Sequence, residues 1–168
     1  MALVVLVGLP GSGKTTTGRA LAQILGRSFV DTDDVFFERE HVRVQDFLRS
    51  QGEAQFRERE LLALSQALAT AGVVSTGGGM VTTAAARELL GQELTVWLDC
   101  SDEVLMTRVI GGDRPLLGDD PEERLVELRA QRDALYLEVS RFRVDSSRPM
   151  DQLVTQLASI VESTQATS

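Results

Sequence analysis

GLPGSGKT, residues Gly8 to Thr15, follows directly on the apolar run LVVLV, Leu3 to Val7. It meets G-x-x-x-x-G-K-[ST] at every fixed position, and chance produces such a match in a chain of this length roughly once in a few hundred. The setting adds to it, because a strand candidate precedes the loop and a helical pattern, Lys14–Leu25, follows. Gly11 and Gly13 let the backbone N–H groups of the loop, with those of Ser12, Lys14, Thr15 and Thr16, converge on phosphate oxygens. Lys14 reaches the β- and γ-oxygens, and the Thr15 hydroxyl is placed to ligate Mg²⁺. A nucleoside triphosphate site follows; what accepts its phosphate does not.

Composition bounds the rest. The 168 residues, 43% hydrophobic and 25% charged, suit a single domain spanning 1–168. A formal charge of −8 argues against non-specific nucleic-acid binding, so an anionic substrate must be met by local cations. The single cysteine, Cys100, has no intramolecular partner and reads as a small buried hydrophobe in a reducing compartment. No stretch approaches the ~20 apolar residues of a membrane span. The expectation is a cytoplasmic protein that binds neither nucleic acid nor membrane, and a monomer, since no long apolar surface stripe stands out.

Strand candidates recur at Leu3–Val7, Ser28–Val30, Val73–Ser75, Leu94–Leu98 and Phe142–Val144. The first, third and fourth look buried on both faces. Helical patterns lie between them, at Glu53–Ala69, Thr83–Leu90, Glu103–Val109 and Pro121–Val139, with Met150–Val161 at the end. Such alternation predicts a parallel α/β sheet. The charge-crowded stretch Thr32–Gly52 and the loop-like GGDRPLLGDDP, Gly111–Pro121, fit it poorly, and Glu162–Ser168 reads as a frayed tail.

Candidates for the acceptor site follow the second and third strands. VDTDD places Asp31 and Asp33 at a strand end, where ligands of open parallel sheets bind, though either could simply cap a helix. In GEAQFRERE, Gly52–Glu60, Arg57 and Glu60 share a helical face at i, i+3, either as a positioned guanidinium or as a solvated pair. Ser75-Thr76-Gly77-Gly78-Gly79 ends a strand in bare backbone, open to a ligand or a tight turn.

Taken in order, GLPGSGKT, DTD, GEAQFRERE, STGGG, RPLL (Arg114–Leu117) and QRDALY (Gln131–Tyr136) resemble the shikimate kinases over nearly the whole chain. The resemblance implies a P-loop kinase three-layer sandwich: a five-stranded parallel sheet, helices on both faces and a mobile lid. It also implies ATP-dependent phosphorylation of the 3-hydroxyl of shikimate to shikimate 3-phosphate, on the route to chorismate and aromatic amino acids, with Mg²⁺. Asp31 then serves the metal with Thr15, and Asp33 holds the acceptor hydroxyl and takes its proton. Arg57 and Arg132 hold the substrate carboxylate beside Gly78 and Gly79, Arg114 closes over the phosphate, and Arg108 and Arg148 flank adenine. The substrate segment is 32–60 and the lid 111–121.

The chain departs from the family pattern in three places. Glu40–Val44 (EHVRV) replaces a Thr-Gly and Ser-Ile stretch, putting the only histidine, His41, where glycine is common and where a surface position is expected. Leu48 stands where an aromatic is frequent, leaving Phe56 to pack on the substrate ring, and Arg108–Arg114 is one residue short. Two alternatives share the loop: a gluconate-kinase-like enzyme, and a non-catalytic nucleotide-binding module.

Overall fold

The computed structural model describes residues 1–70, 72–110 and 120–166. At its centre is β1 (Val4–Val7), every residue of which is buried. A strand of that kind needs cover on both faces and a partner on both edges. In parallel register, β3 (Val73–Ser75) takes one edge, with Val5 opposite Val74, and β4 (Thr95–Asp99) the other, with Leu6 opposite Val96. β2 (Phe29–Asp31) and β5 (Phe142–Asp145) complete a five-stranded parallel sheet in the order β2-β3-β1-β4-β5.

Alternation along β1 makes the layers. Val4 and Leu6 enter one core with Leu21 and Ala22 of α1 (Lys14–Leu25) and Leu153 and Leu157 of α8 (Met150–Gln165). Val5 and Val7 enter the other with Leu64 of α4 (Glu53–Leu68), Leu90 of α5 (Ala84–Gly91) and Tyr136 of α7 (Pro121–Val139). Each such Val or Leu side chain contributes about 1.5–3 kcal/mol by leaving water, so both helical layers are held to the sheet.

Three stretches differ from expectation or fall outside it. Thr32–Gly52 forms two short helices, α2 (Thr32–Glu40) and α3 (Val44–Gln51). α2 shows no clear apolar period, whereas α3 places Val44, Phe47 and Leu48 at i, i+3 and i+4, and the two helices meet in space: the Phe36 ring packs edge-on against Phe47 at 5.3 Å and against Phe56 of α4 at 5.4 Å. Short helices of this kind are stabilised by packing more than by propensity. The expected frayed tail is helical as far as Gln165, anchored by buried Val161. The expected lid lies outside the described residues through 119, Arg114 included. At its last two positions Asp120 caps α7, its Oδ1 accepting from the Glu123 N–H at 3.0 Å, and Pro121 opens the helix.

Candidate active site

The phosphate loop joins β1 to α1. Gly13 caps α1 at φ 89°, a left-handed conformation that a side chain would strain, and turns the chain so that the first N–H groups of the helix face outward along its axis. No acidic residue occupies that first turn, so the positive end of the dipole is open to an anion. Lys14 is 8% exposed, and its Nζ donates to the carbonyls of Gly8 at 2.8 Å and Leu9 at 2.9 Å. It braces the loop from inside, with Ser12 Oγ accepting at 3.5 Å.

Asp31 caps α2 and lines the cleft at once. Its Oδ1 accepts from the Asp33 N–H at 3.0 Å, and its Oδ2 accepts from the Thr15 hydroxyl at 2.8 Å. The helix cap and a tie from the second strand to the phosphate loop therefore coexist in one side chain. Asp33, in the first turn of α2, reaches the glycine turn: a Cβ built on Gly77 would sit 3.1 Å from its Oδ1 and 3.4 Å from Glu60 Oε1.

Around Gly77–Gly79 the remaining groups converge. Arg57 donates to Glu60 Oε2 at 2.6 Å, to Gly79 O at 3.3 Å and to Glu53 Oε1 at 3.3 Å. Burial holds the Glu60 carboxyl above the ordinary glutamate range, only partly opposed by Arg57, and nearby Asp33 pushes the same way as burial. So the pair is a half-buried guanidinium held by a buried carboxylate, not a solvated surface pair. Gly78 is closely overlaid by the phosphate loop, since a Cβ there would come within 2.8 Å of Pro10 Cδ. Arg132 of α7 is half-buried, and its Nε is buried with no hydrogen-bond partner among the described residues. A buried unsatisfied donor is costly, which suits a site awaiting an anion.

At the other end of the cleft, Arg108 of α6 (Asp102–Ile110) donates to Gly11 O at 3.4 Å and Ser146 O at 2.7 Å. It lies against the phosphate loop rather than on the helix surface. Cys100 beneath it is 7% exposed, and burial raises its thiol pKa, as expected of a structural cysteine. Arg148 is exposed, near Gln156, and lines the same cleft, as do Thr16 and Leu48. Phe56 reaches the cleft wall too but is only 4% exposed, being spent largely on Phe36. His41 is exposed at the end of α2 with φ 55°, consistent with a surface role.

Sequence reasoning missed several participants. Thr32 accepts from the Gly77 N–H at 3.0 Å, fastening the glycine turn to α2. Arg129 bonds Asp102, the Cys100 carbonyl, Asp99 at 3.1 Å and Asp133 at 3.3 Å, locking α7 to the end of β4 and the start of α6. Burial disfavours its charge, but Asp102 and Asp99 more than offset that and raise its pKa. Only the Arg129–Asp133 spacing, i, i+4, signals this network in sequence.

Lys14, Thr15, Asp31, Asp33, Arg57 and Arg132, with Gly78 and Gly79, thus line one cleft of about 1170 Å³ at the carboxyl ends of the strands. A family model described as shikimate kinase matches residues 10–162. A shikimate kinase of Corynebacterium jeikeium (strain K411) is 43% identical over 162 residues, 94% of this chain and 87% of that one. The structure of a shikimate kinase from Acinetobacter baumannii in complex with shikimate aligns with a TM-score of 0.88 at 34% identity, covering 96% of this chain and 93% of that one. A gluconokinase from Sinorhizobium meliloti 1021 aligns at 0.63 with 24% identity over 98% and 96%, a likeness of fold alone. Motif order, sheet order and relatives all agree that the chain belongs to the shikimate kinase family.

Proposed function

We propose that this protein transfers the γ-phosphoryl group of ATP to the 3-hydroxyl of shikimate, giving shikimate 3-phosphate and ADP. The observation that carries the reading is the meeting of Asp33 with the Arg57–Glu60 pair at Gly77–Gly79, in the same cleft as GLPGSGKT. A bare nucleotide-binding module has no use for a second cationic site facing a carboxylate. In this reading one domain, 1–168, carries the substrate segment at 32–60 and the lid at 111–121.

The chemistry follows from the charges. Guanidinium forks from Arg57 and Arg132, with backbone from Gly78 and Gly79, take the planar carboxylate of shikimate and turn its 3-hydroxyl toward Asp33. Asp33 orients that hydroxyl and accepts its proton as the oxygen bonds to the γ-phosphorus and the bond to the β-phosphate oxygen breaks. Backbone donors from Gly11 to Thr16, together with Lys14, offset the charge of the phosphates. Arg114 caps the phosphoryl group in flight, and closure of its segment excludes the water that would otherwise accept it. Arg108 and Arg148 hold the adenine end. Thr15 and Asp31, a hydroxyl and a carboxylate oxygen 2.8 Å apart, are the hard oxygen donors Mg²⁺ takes. When bound there with the phosphates, the ion neutralises part of their negative charge.

The test is ADP release from ATP over a panel of shikimate, gluconate, other sugar acids and polyols. Release should depend on shikimate. Release that follows gluconate instead, or that ignores every acceptor, contradicts the proposal.

A further inference from the structure

Tyr136 closes the QRDALY motif and carries a hydroxyl into the core. Its side chain is 0% exposed, and its ring packs on Trp97 of β4 at 5.7 Å with an interplanar angle of 32°. Phenylalanine would fill that place equally well, so the hydroxyl serves something other than packing. It donates to Gly78 O at 2.5 Å. One turn earlier on α7, at i−4, Arg132 shares that helical face, close enough for its positive charge to bear on the phenol.

We propose that the Tyr136 hydroxyl is a positioning group for the acceptor's carboxylate, orienting the Arg132 guanidinium and the Gly78–Gly79 peptide together. The inference rests on the function proposed above. A peptide unit is planar and trans, so fixing the Gly78 carbonyl also fixes the Gly79 N–H, which points the opposite way. Gly77, Gly78 and Gly79 carry no side chains to hold that plane themselves. The next carbonyl, Gly79 O, is fixed separately by the Thr82 N–H at 3.0 Å, the Thr82 hydroxyl at 2.7 Å and Arg57 at 3.3 Å. The clamp therefore has two halves: Arg57 with Thr82 sets one, and Tyr136 sets the other by donating to Gly78 from one turn beyond Arg132 on the same face of α7.

The test compares Tyr136→Phe with Trp97→Phe, each assayed with shikimate and with its neutral carboxamide analogue. Tyr136→Phe should raise the shikimate KM roughly tenfold, the factor that accompanies loss of about one well-placed hydrogen bond, with kcat within about threefold of wild type and the ATP KM unmoved. The preference for shikimate over the carboxamide should shrink by the same factor. Trp97→Phe loosens the same packing but keeps the hydroxyl, so it should lower Tm without touching that preference. The inference is overturned if Tyr136→Phe keeps the wild-type KM and preference, or loses both ligands equally. It is also overturned if Trp97→Phe shifts the preference as much, or if Tyr136→Phe is too unstable to assay, since the hydroxyl would then serve the fold. A wild-type enzyme without shikimate-dependent ADP release would instead sink the proposed function.

Discussion

Replacing Arg57 by alanine should separate two jobs held by one guanidinium. Glu60 is 6% exposed and accepts from Arg57 at 2.6 Å, so the variant strands a buried carboxylate beside Asp33. Breaking a buried pair from one side costs about 3–5 kcal/mol. Here the guanidinium is 21% exposed and Glu60 relieves part of the cost by taking a proton, so the loss should be roughly 2–3 kcal/mol. In a chain of 168 residues that lowers Tm by roughly 4–12 °C. Shikimate binding suffers separately: losing a charge-assisted contact worth about 2–5 kcal/mol reduces kcat/KM by roughly 30- to 5000-fold. Thermal unfolding and steady-state kinetics of R57A and R57A/E60Q distinguish the two effects. Glutamine at position 60 removes the stranded charge, so the double variant should regain about 1 kcal/mol or more while its shikimate kcat/KM stays low. A double variant no more stable than R57A refutes the desolvation argument. Wild-type shikimate kinetics in R57A refute the clamp.

Three further outcomes follow from the same geometry. Asp33→Asn should lower kcat by roughly 10²-fold or more at any Mg²⁺ concentration, whereas Asp31→Asn should recover partly at high Mg²⁺. A rate titration in which Asp33→Asn is the one rescued reverses their roles. Because burial raises the Glu60 pKa, that carboxylate takes up its proton at a higher pH than an exposed glutamate and then releases Arg57. The shikimate KM should therefore rise as pH falls through the raised value, and be high and flat in E60Q; a wild-type KM constant down to about pH 4.3 contradicts this. Gly78→Ala would force its Cβ within 2.8 Å of Pro10 Cδ, so the turn and the phosphate loop must shift together. Both KM values should rise, and values within about twofold of wild type would show that the two segments yield independently.

Much of this was legible from the chain. β1, β3 and β4 are buried throughout, so their apolar runs stand out even at three to five residues. GLPGSGKT carries its own geometry, and the order of the later motifs carried the acceptor. The apolar pattern ends β2 at Val30 because Asp31 is polar, although Asp31 pairs with Ser75 while its carboxylate caps α2. α2 and α3 are hard to read because both are short and crowded with charge, and the contact that joins them, Phe36 on Phe47, lies between helices rather than along one. Arg129 and Tyr136 escaped for a related reason: their partners at Asp99, Cys100 and Gly78 lie about 30 to 58 residues away and become neighbours only when α7 packs on β4.

The central claim is that phosphate leaves ATP for one hydroxyl of one acceptor. Phosphorus-31 and proton NMR of a reaction holding only protein, ATP, Mg²⁺ and shikimate reads this directly. The account predicts ADP together with an equal amount of a monoester whose phosphorus couples to the proton on carbon 3 of the shikimate ring. Free inorganic phosphate in place of that ester, or a phosphorus coupled to a different ring proton, would contradict it.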